Sequence, residues 1–325
     1  MRSVAASRLV ELVTAIMRAA GCRQDEAASV ARRLVDSNLV GHDSHGVLRV
    51  SRYLDALRAG SVRANQPPSV VFESDAIAIV DGNRGLGQIV GEFAGHLGTR
   101  KAAKMGIAMI GLRNCGHLGR VGDWAELAAA AGQVSLHFLN TSGAQRVAPF
   151  GGSDRRLSTN PITIGIPVEG GEPVPEGWII DKSGKPTTDP KDFYDGGALL
   201  TVGGHKGSAL SIVTDLLAGA ISTGRSSDPE DGIIRNNMLS IYIAPAVYDK
   251  ESVVAAEIAR FVEWVRASPP ARAGAPVLMP GEIERRTRAE RERDGIPLDD
   301  MTASDLIAAA ASVGIARERA VSMLG

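Results

Sequence analysis

The sequence predicts a mixed α/β fold with helical ends and a middle in which strands and helices alternate. Three observations predict it. The first sixty of the 325 residues carry apolar side chains at helical spacing. After Pro67-Pro68 the period changes, and short apolar runs of strand length appear between helical stretches. From Glu282 onward the pattern is helical again. With 44% hydrophobic residues the chain can bury a large core, enough for two or three sub-domains.

The elements follow in order. Val10, Val13, Ile16 and Met17 form one helical stripe, and Gly21 stops that helix. Gln24-Asp25-Glu26 opens the next helix, which continues over 27–40 with Val30, Leu34 and Leu39 on one side. Residues 47–57 form a third, stopped at Gly60. Residues 69–72 and 76–80 read as strands, 92–104 as a helix, and 107–112 as a buried strand. A helix over 124–131 is followed by strand-like runs over 134–139 and 157–167. Residues 204–222 begin with glycine-rich turn chemistry and become an apolar helix. A short strand over 239–243 and a helix over 253–267 complete the middle. The dense charges of 282–293 read as a solvated helix face, and 304–313 as a last apolar helix.

Composition excludes several functions. Lys and Arg number 36 against 37 Asp and Glu, so the chain offers no basic face of the size nucleic acid needs. Two cysteines, Cys22 and Cys115, make neither a disulfide framework nor a zinc spacing. We expect reduced thiols, no metal site and a cytoplasmic location. Residues 1–20 are amphipathic and interrupted by charges, unlike a signal peptide, and no apolar run is long enough to span a bilayer.

The chemistry concentrates in Gly41-His42-Asp43-Ser44-His45-Gly46-Val47-Leu48-Arg49. In a helix, His45 and Arg49 project from one face. Arginine forks onto a carboxylate, and histidine exchanges a proton near neutral pH, a pairing that suits a 2-keto or 2-hydroxy acid. A solvated helix face gives the same spacing. Gly82, Gly85, Gly87 and Gly91 follow a strand and precede a helix, like a dinucleotide fingerprint. The spacing is one residue too long, however, and the next strand ends in Arg113-Asn114 instead of an acid. We read a tight turn there.

Of four further clusters, the first two stay open between two readings. His117, in the loop that closes the strand over 107–112, is either a ligand-facing donor or a buried structural histidine. Ser158-Thr159-Asn160-Pro161 suits a carboxylate or amide, or is a turn bonded to its own backbone. Pro280-Gly281-Glu282 reads as a helix start. Gly203-Gly204-His205-Lys206-Gly207 suits a phosphate but lacks the full P-loop pattern.

Together the clusters resemble the type-2 malate/L-lactate dehydrogenase family, which includes ureidoglycolate, sulfolactate and 2,3-diketo-L-gulonate oxidoreductases and some cyclic-imine reductases. Eight markers in order carry the resemblance: Ser44 to Arg49, Gly85-Leu86-Gly87-Gln88, Arg113 to Gly119, Thr159-Asn160-Pro161, Pro175-Glu176-Gly177-Trp178, Pro186-Thr187-Thr188-Asp189-Pro190, Lys206-Gly207 and Pro280-Gly281-Glu282. The resemblance implies a non-Rossmann fold with a largely antiparallel central sheet that binds NAD or NADP. It implies a helical, dimerisation-type domain from 1–66 together with 281–325, and a sheet domain over 67–280. It also implies a homodimer acting on a small 2-hydroxy or 2-keto acid, with His45 as proton donor, Arg49 as carboxylate clamp and Thr159 as a further substrate contact. Ser44, His117, Lys206, Gly281 and Glu282 are the implied cofactor contacts.

One departure stands out. After Ile166-Pro167 the family continues with a strand carrying an Asp-x-Ala-Thr-Ser-like motif, whose aspartate assists the histidine. Here Val168-Glu169-Gly170-Gly171 runs straight into Glu172-Pro173. The missing segment raises an alternative, an impaired homologue with a scaffold or binding role. A cyclic-imine-2-carboxylate reductase is the other alternative, since the same His/Arg pair serves C=N as well as C=O.

Overall fold

The computed structural model describes residues 2–144, 146–148, 155–166, 179–180, 186–187, 198–199, 201, 205–228, 234–249, 252–268 and 278–325. Contacts divide the chain into two compact units. Met1–Pro67 and Tyr248–Gly325 belong to one, Pro68–Ile166 and Val174–Val247 to the other. The first boundary falls between the two prolines that mark it in the sequence. The second falls at Tyr248 instead of 281, where only Pro245 punctuates the chain, so the helix that follows Tyr248 groups with the helical unit.

In the helical unit, strand β1 (Arg2–Val4) pairs antiparallel with β11 (Ile296–Leu298), matching Val4 to Ile296. Helix α1 (Ala6–Ala19) buries Leu9, Leu12, Val13, Ile16 and Met17, the spacing of one helical face. Helix α2 (Gln24–Leu39) uses Glu26 in its first turn, and both carboxylate oxygens accept from Asn65 N, at 3.0 and 2.9 Å. Helix α3 is Val50–Arg58. Toward the C-terminus come α7 (Val253–Arg266), α8 (Glu282–Asp294), α9 (Asp300–Ser312) and α10 (Arg317–Leu324). The Asp299 carboxylate caps α9 by accepting from Thr302 N at 2.7 Å.

The sheet unit is built on six strands: β2 (Ser69–Glu73), β3 (Ile77–Asp81), β4 (Ile107–Cys115), β5 (Val134–Ser142), β6 (Ile162–Gly165) and β10 (Arg235–Ile243). Their order is β2-β3-β4-β10-β5-β6. Only β3 and β4 run parallel, joined by helix α4 (Gly87–Met105). The other four pairings are antiparallel, so the sheet is open and mostly antiparallel, as expected. Three two-residue strands, β7 (Ile179–Ile180), β8 (Pro186–Thr187) and β9 (Ala198–Leu199), form a second small sheet. Helix α5 (Gly122–Ala130) buries Trp124, and the core continues through Ile110, Leu112, Leu118, Met238 and Tyr242. Helix α6 (His205–Asp215) runs into a π-helical turn, Leu216–Ile221. Among the described residues no helix is long and apolar enough to cross a membrane.

The core contains one histidine. His137 on β5 lies between Ser135 Oγ (3.0 Å from Nε2) and Ser240 Oγ (2.9 Å from Nδ1), edge-on to Tyr242. Burial holds its pKa down at about 3 from an ordinary 6.5. Between those values the unfolded chain binds this proton and the folded chain does not. Stability therefore falls as pH drops through that window, by up to about 1.4 kcal/mol per pH unit. Urea midpoints for His137→Asn should depend less steeply on pH between 6.5 and 5 than those of the parent protein. Equal slopes would remove this role.

Candidate functional site

The 41–49 stretch does not continue a helix. It forms two 3-10 turns, Asp43–His45 and Val47–Arg49, broken at Gly46, and α3 begins only at Val50. Asn38 is the reason. Its Oδ1 accepts from Val47 N at 2.8 Å and its Nδ2 donates to Asp43 Oδ1 at 2.6 Å. A Cβ on Gly46 would stand 2.2 Å from that Oδ1, so only glycine fits. Helical spacing thus does not align His45 with Arg49; Ser44 links them. Ser44 Oγ lies 3.0 Å from His45 Nδ1, and the Ser44 carbonyl accepts from Arg49 Nε at 2.6 Å. His45 and Arg49 are half-buried, while Ser44 is exposed.

Helix α8 braces this turn. Glu284, Thr287, Arg288 and Arg291 share one face at i, i+3, i+4 and i+7. Glu284 lies 3.5 Å from His42 Nε2, Thr287 lies against Gly41, and Arg288 pairs with Asp36 at 2.7 Å. Arg291 grips the Asp43 carboxylate with both terminal nitrogens, at 2.7 and 3.1 Å, and also donates to the Asn38 carbonyl. The charge run expected as a solvated face is therefore partly internal. Gly281, in the left-handed region at φ 86°, precedes α8. Glu282 accepts from Arg266 Nη2 at 2.8 Å and from Met279 N at 3.2 Å. The Met279 N–H, then Arg266, hold its carboxyl below the ordinary carboxylate range against a smaller opposing push from desolvation.

In the sheet unit the glycine turn is filled by the protein itself. Gly82 N donates to Arg113 O, Arg84 N to Asn114 O, and Gly116 N to Gly85 O, each at 2.8 Å. Asp81 accepts from Asn83 N, Asn114 Nδ2 and Arg113 Nε, at 2.8, 2.9 and 3.0 Å. Burial pushes its carboxyl up, but these three donors together outweigh it and hold the pKa below the ordinary value. Backbone donors spent on the neighbouring loop do not cradle a pyrophosphate. His117 is half-buried in that loop, which Leu118 N anchors on Asn236 Oδ1 at 2.9 Å.

Thr159 and Lys206 both stand exposed beside one polar network. Thr159 precedes Asn160, whose Nδ2 donates to Ser211 O and to Asp215 Oδ2 on α6, at 3.1 and 3.0 Å. Lys206 occupies the first turn of that helix, which carries no acid there. An ammonium at the start of a helix, where the dipole is positive, is a donor set that fits an anionic diphosphate. The glycine turn, whose backbone donors are already bonded to the neighbouring loop, offers no such set.

The network runs on through residues not anticipated from the sequence. Asn140 Nδ2 donates to Asp215 Oδ1 at 3.0 Å, Asn237 Nδ2 to Asn140 Oδ1 at 2.9 Å, and Asn236 Nδ2 to Thr141 Oγ1 at 2.8 Å. Asparagines at the ends of apolar strands, where they form strand poorly, were the available signal. Asp215, a lone acid within an apolar helix, was another. Ser44, His45, Arg49, Gly281 and Glu282 belong to the helical unit; His117, Thr159 and Lys206 belong to the sheet unit. Gly203-Gly204, Pro175 to Trp178, Thr188 to Pro190 and the junction after Pro167 lie outside the described residues.

Comparison with known proteins adds the following. The family model described as malate/L-lactate dehydrogenase matches residues 4–174 and 169–307. The two stretches overlap at residues 169–174, within the junction after Pro167. Hydroxycarboxylate dehydrogenase B of Escherichia coli (strain K12) is 37% identical over 345 aligned positions, covering 96% of this chain and 95% of the relative. That alignment exceeds the 325 residues of the chain, so the relative carries residues without a counterpart here. A putative malate/lactate dehydrogenase from E. coli superposes with a TM-score of 0.91 at 35% identity, covering 99% and 98% of the two chains. Delta1-piperideine-2-carboxylate reductase from Pseudomonas syringae superposes at 0.79 and 28% identity, over 95% of this chain and 100% of that one.

Proposed function

The chain belongs to the malate/L-lactate dehydrogenase family, and from that premise we propose that it transfers a hydride between a nicotinamide cofactor and a small 2-keto or 2-hydroxy acid, with His45 and Arg49 handling the acid. The observation that carries this reading is the Ser44 link, which sets an imidazole and a guanidinium on one short turn.

When bound, the nicotinamide supplies the hydride to the substrate's keto carbon or takes it back. Arg49, held at Nε by the Ser44 carbonyl, presents its terminal nitrogens as a fork to the carboxylate. His45, its Nδ1 set against Ser44 Oγ, gives a proton to the substrate oxygen in reduction and takes one in oxidation. Thr159 contributes its hydroxyl as a further contact to the substrate. Lys206 holds the cofactor's phosphates, and Ser44, His117, Gly281 and Glu282 complete its contacts. On the family resemblance we also propose a cytoplasmic homodimer.

Titration with NADH and with NADPH tests the reading first, and the tighter one identifies the cofactor used. Saturable binding, followed by oxidation of the bound cofactor by one of a panel of 2-keto acids, is the expected result. No oxidation by any acid, from a protein that unfolds cooperatively, would leave a silent homologue. A second reading, reduction of a cyclic imine bearing the same 2-carboxylate, is favoured by the reductase among the structural neighbours; including such imines in the panel separates the two. With the preferred substrate, Arg49→Lys should raise KM roughly 10- to 100-fold with a smaller change in kcat, because an ammonium makes no two-pronged contact. An unchanged KM would take the clamp away from Arg49.

A further inference from the structure

Asp215 is buried (4% exposed) at the end of α6, where the helix passes into the π-helical turn. Its carboxylate accepts four hydrogen bonds. Oδ1 takes Asn140 Nδ2 at 3.0 Å and Ser227 N at 2.9 Å; Oδ2 takes Asn160 Nδ2 at 3.0 Å and Ser227 Oγ at 2.6 Å. Three separate segments therefore end on one side chain: strand β5 through Asn140, the 222–228 loop through Ser227, and the turn before β6 through Asn160.

That turn needs an anchor. Asn160 sits in the left-handed region at φ 38°, an uncommon conformation for a residue other than glycine, and Pro161 follows it. Ser158 and Asn160 are buried while Thr159 between them is exposed. Among the described residues, the side-chain amide of Asn160 ties the turn to the helix. Its Nδ2 reaches Ser211 O, Ser211 Oγ and Asp215 Oδ2. Its Oδ1 is buried without a hydrogen-bond partner among the described residues, so the amide's hold on the helix runs through Nδ2, while Leu139 N donates to the Pro161 carbonyl on the other side.

We infer that Asp215 is a positioning residue for the substrate site: by holding Asn160 it fixes the backbone that presents Thr159. This rests on the reading of Thr159 as a substrate contact. Asp215→Asn keeps the volume but turns an accepting oxygen into an NH2 group that meets another N–H whichever way it faces. Asn160→Gly leaves the left-handed backbone available and removes only the amide anchor, so it carries the test if Asp215→Asn fails to fold.

Two readouts decide the matter. The first is backbone amide exchange over residues 156–165. It should quicken by about 10-fold or more in either variant, while exchange in β4 stays as in the parent. The second is a KM-against-kcat split. KM for the preferred acid should rise about 10-fold, with the cofactor Kd within about twofold. That rise should shrink in a Thr159→Val background, because two residues acting through one contact are not additive. Unchanged exchange at the turn overturns the inference. So does faster exchange with an unchanged KM, or a KM effect that multiplies in full with that of Thr159→Val. Should Thr159→Val itself leave KM unaltered, the reading of Thr159 fails, and amide exchange alone decides whether Asp215 holds the turn.

Discussion

Replacing His45 by alanine lowers turnover by about two to four orders of magnitude and leaves the protein folded. The size follows from the usual worth of a positioned general acid. The intact fold follows from the site: the ring is half-buried, it bonds exposed Ser44, and the turn around it is held by Asn38, Asp43 and Arg291. Steady-state kcat, cofactor Kd and the urea midpoint measure the three quantities separately. The Kd and the midpoint should stay near the parent values. His42→Ala is the control, since that imidazole lies 3.5 Å from Glu284 and has no part in the proposed chemistry. Turnover that survives in His45→Ala would remove the proton-donor role. Equal losses in both variants would point to a disturbed turn instead of lost chemistry.

Much of the scaffold is legible in the sequence where burial follows one period. The stripe on α1 and the apolar run of β4 are examples, because each turns a single face or a whole strand into the core. What escapes is whatever depends on a distant partner. Strand β1 is three residues long and exists because β11 lies beside it. The first residues of β10, Arg235 to Asn237, are poor strand formers, yet they pair with β5 because their amides serve the polar network. The charges of α8 look outward in a list of residues, but Arg291 and Arg288 find Asp43 and Asp36 on its inner side. At the site, His45 and Arg49 are visible as residue types. Their link through Ser44 is not, because Asn38 breaks the helix that their spacing suggests.

Gly87→Ala destabilises the cofactor-free protein by about 1–3 kcal/mol, the range expected for a methyl forced into a filled space. The sequence weighs two roles for this glycine, a phosphate cradle and the tight turn read there, and they predict different results. Glycines that cradle a phosphate keep their surroundings open for the ligand, so a methyl there weakens cofactor binding and spares the empty protein. A Cβ on Gly87 would stand 2.2 Å from the His117 carbonyl oxygen and 2.5 Å from that of Gly116. Both obstacles are backbone, and no rotamer change moves them. The loop cannot retreat cheaply either, since Gly116 N is bonded to Gly85 O and Leu118 N to Asn236 Oδ1. The loss must therefore appear in the urea midpoint measured without cofactor. A midpoint equal to the parent's, together with a weakened Kd, would return the glycine turn to the cofactor and move the diphosphate away from Lys206.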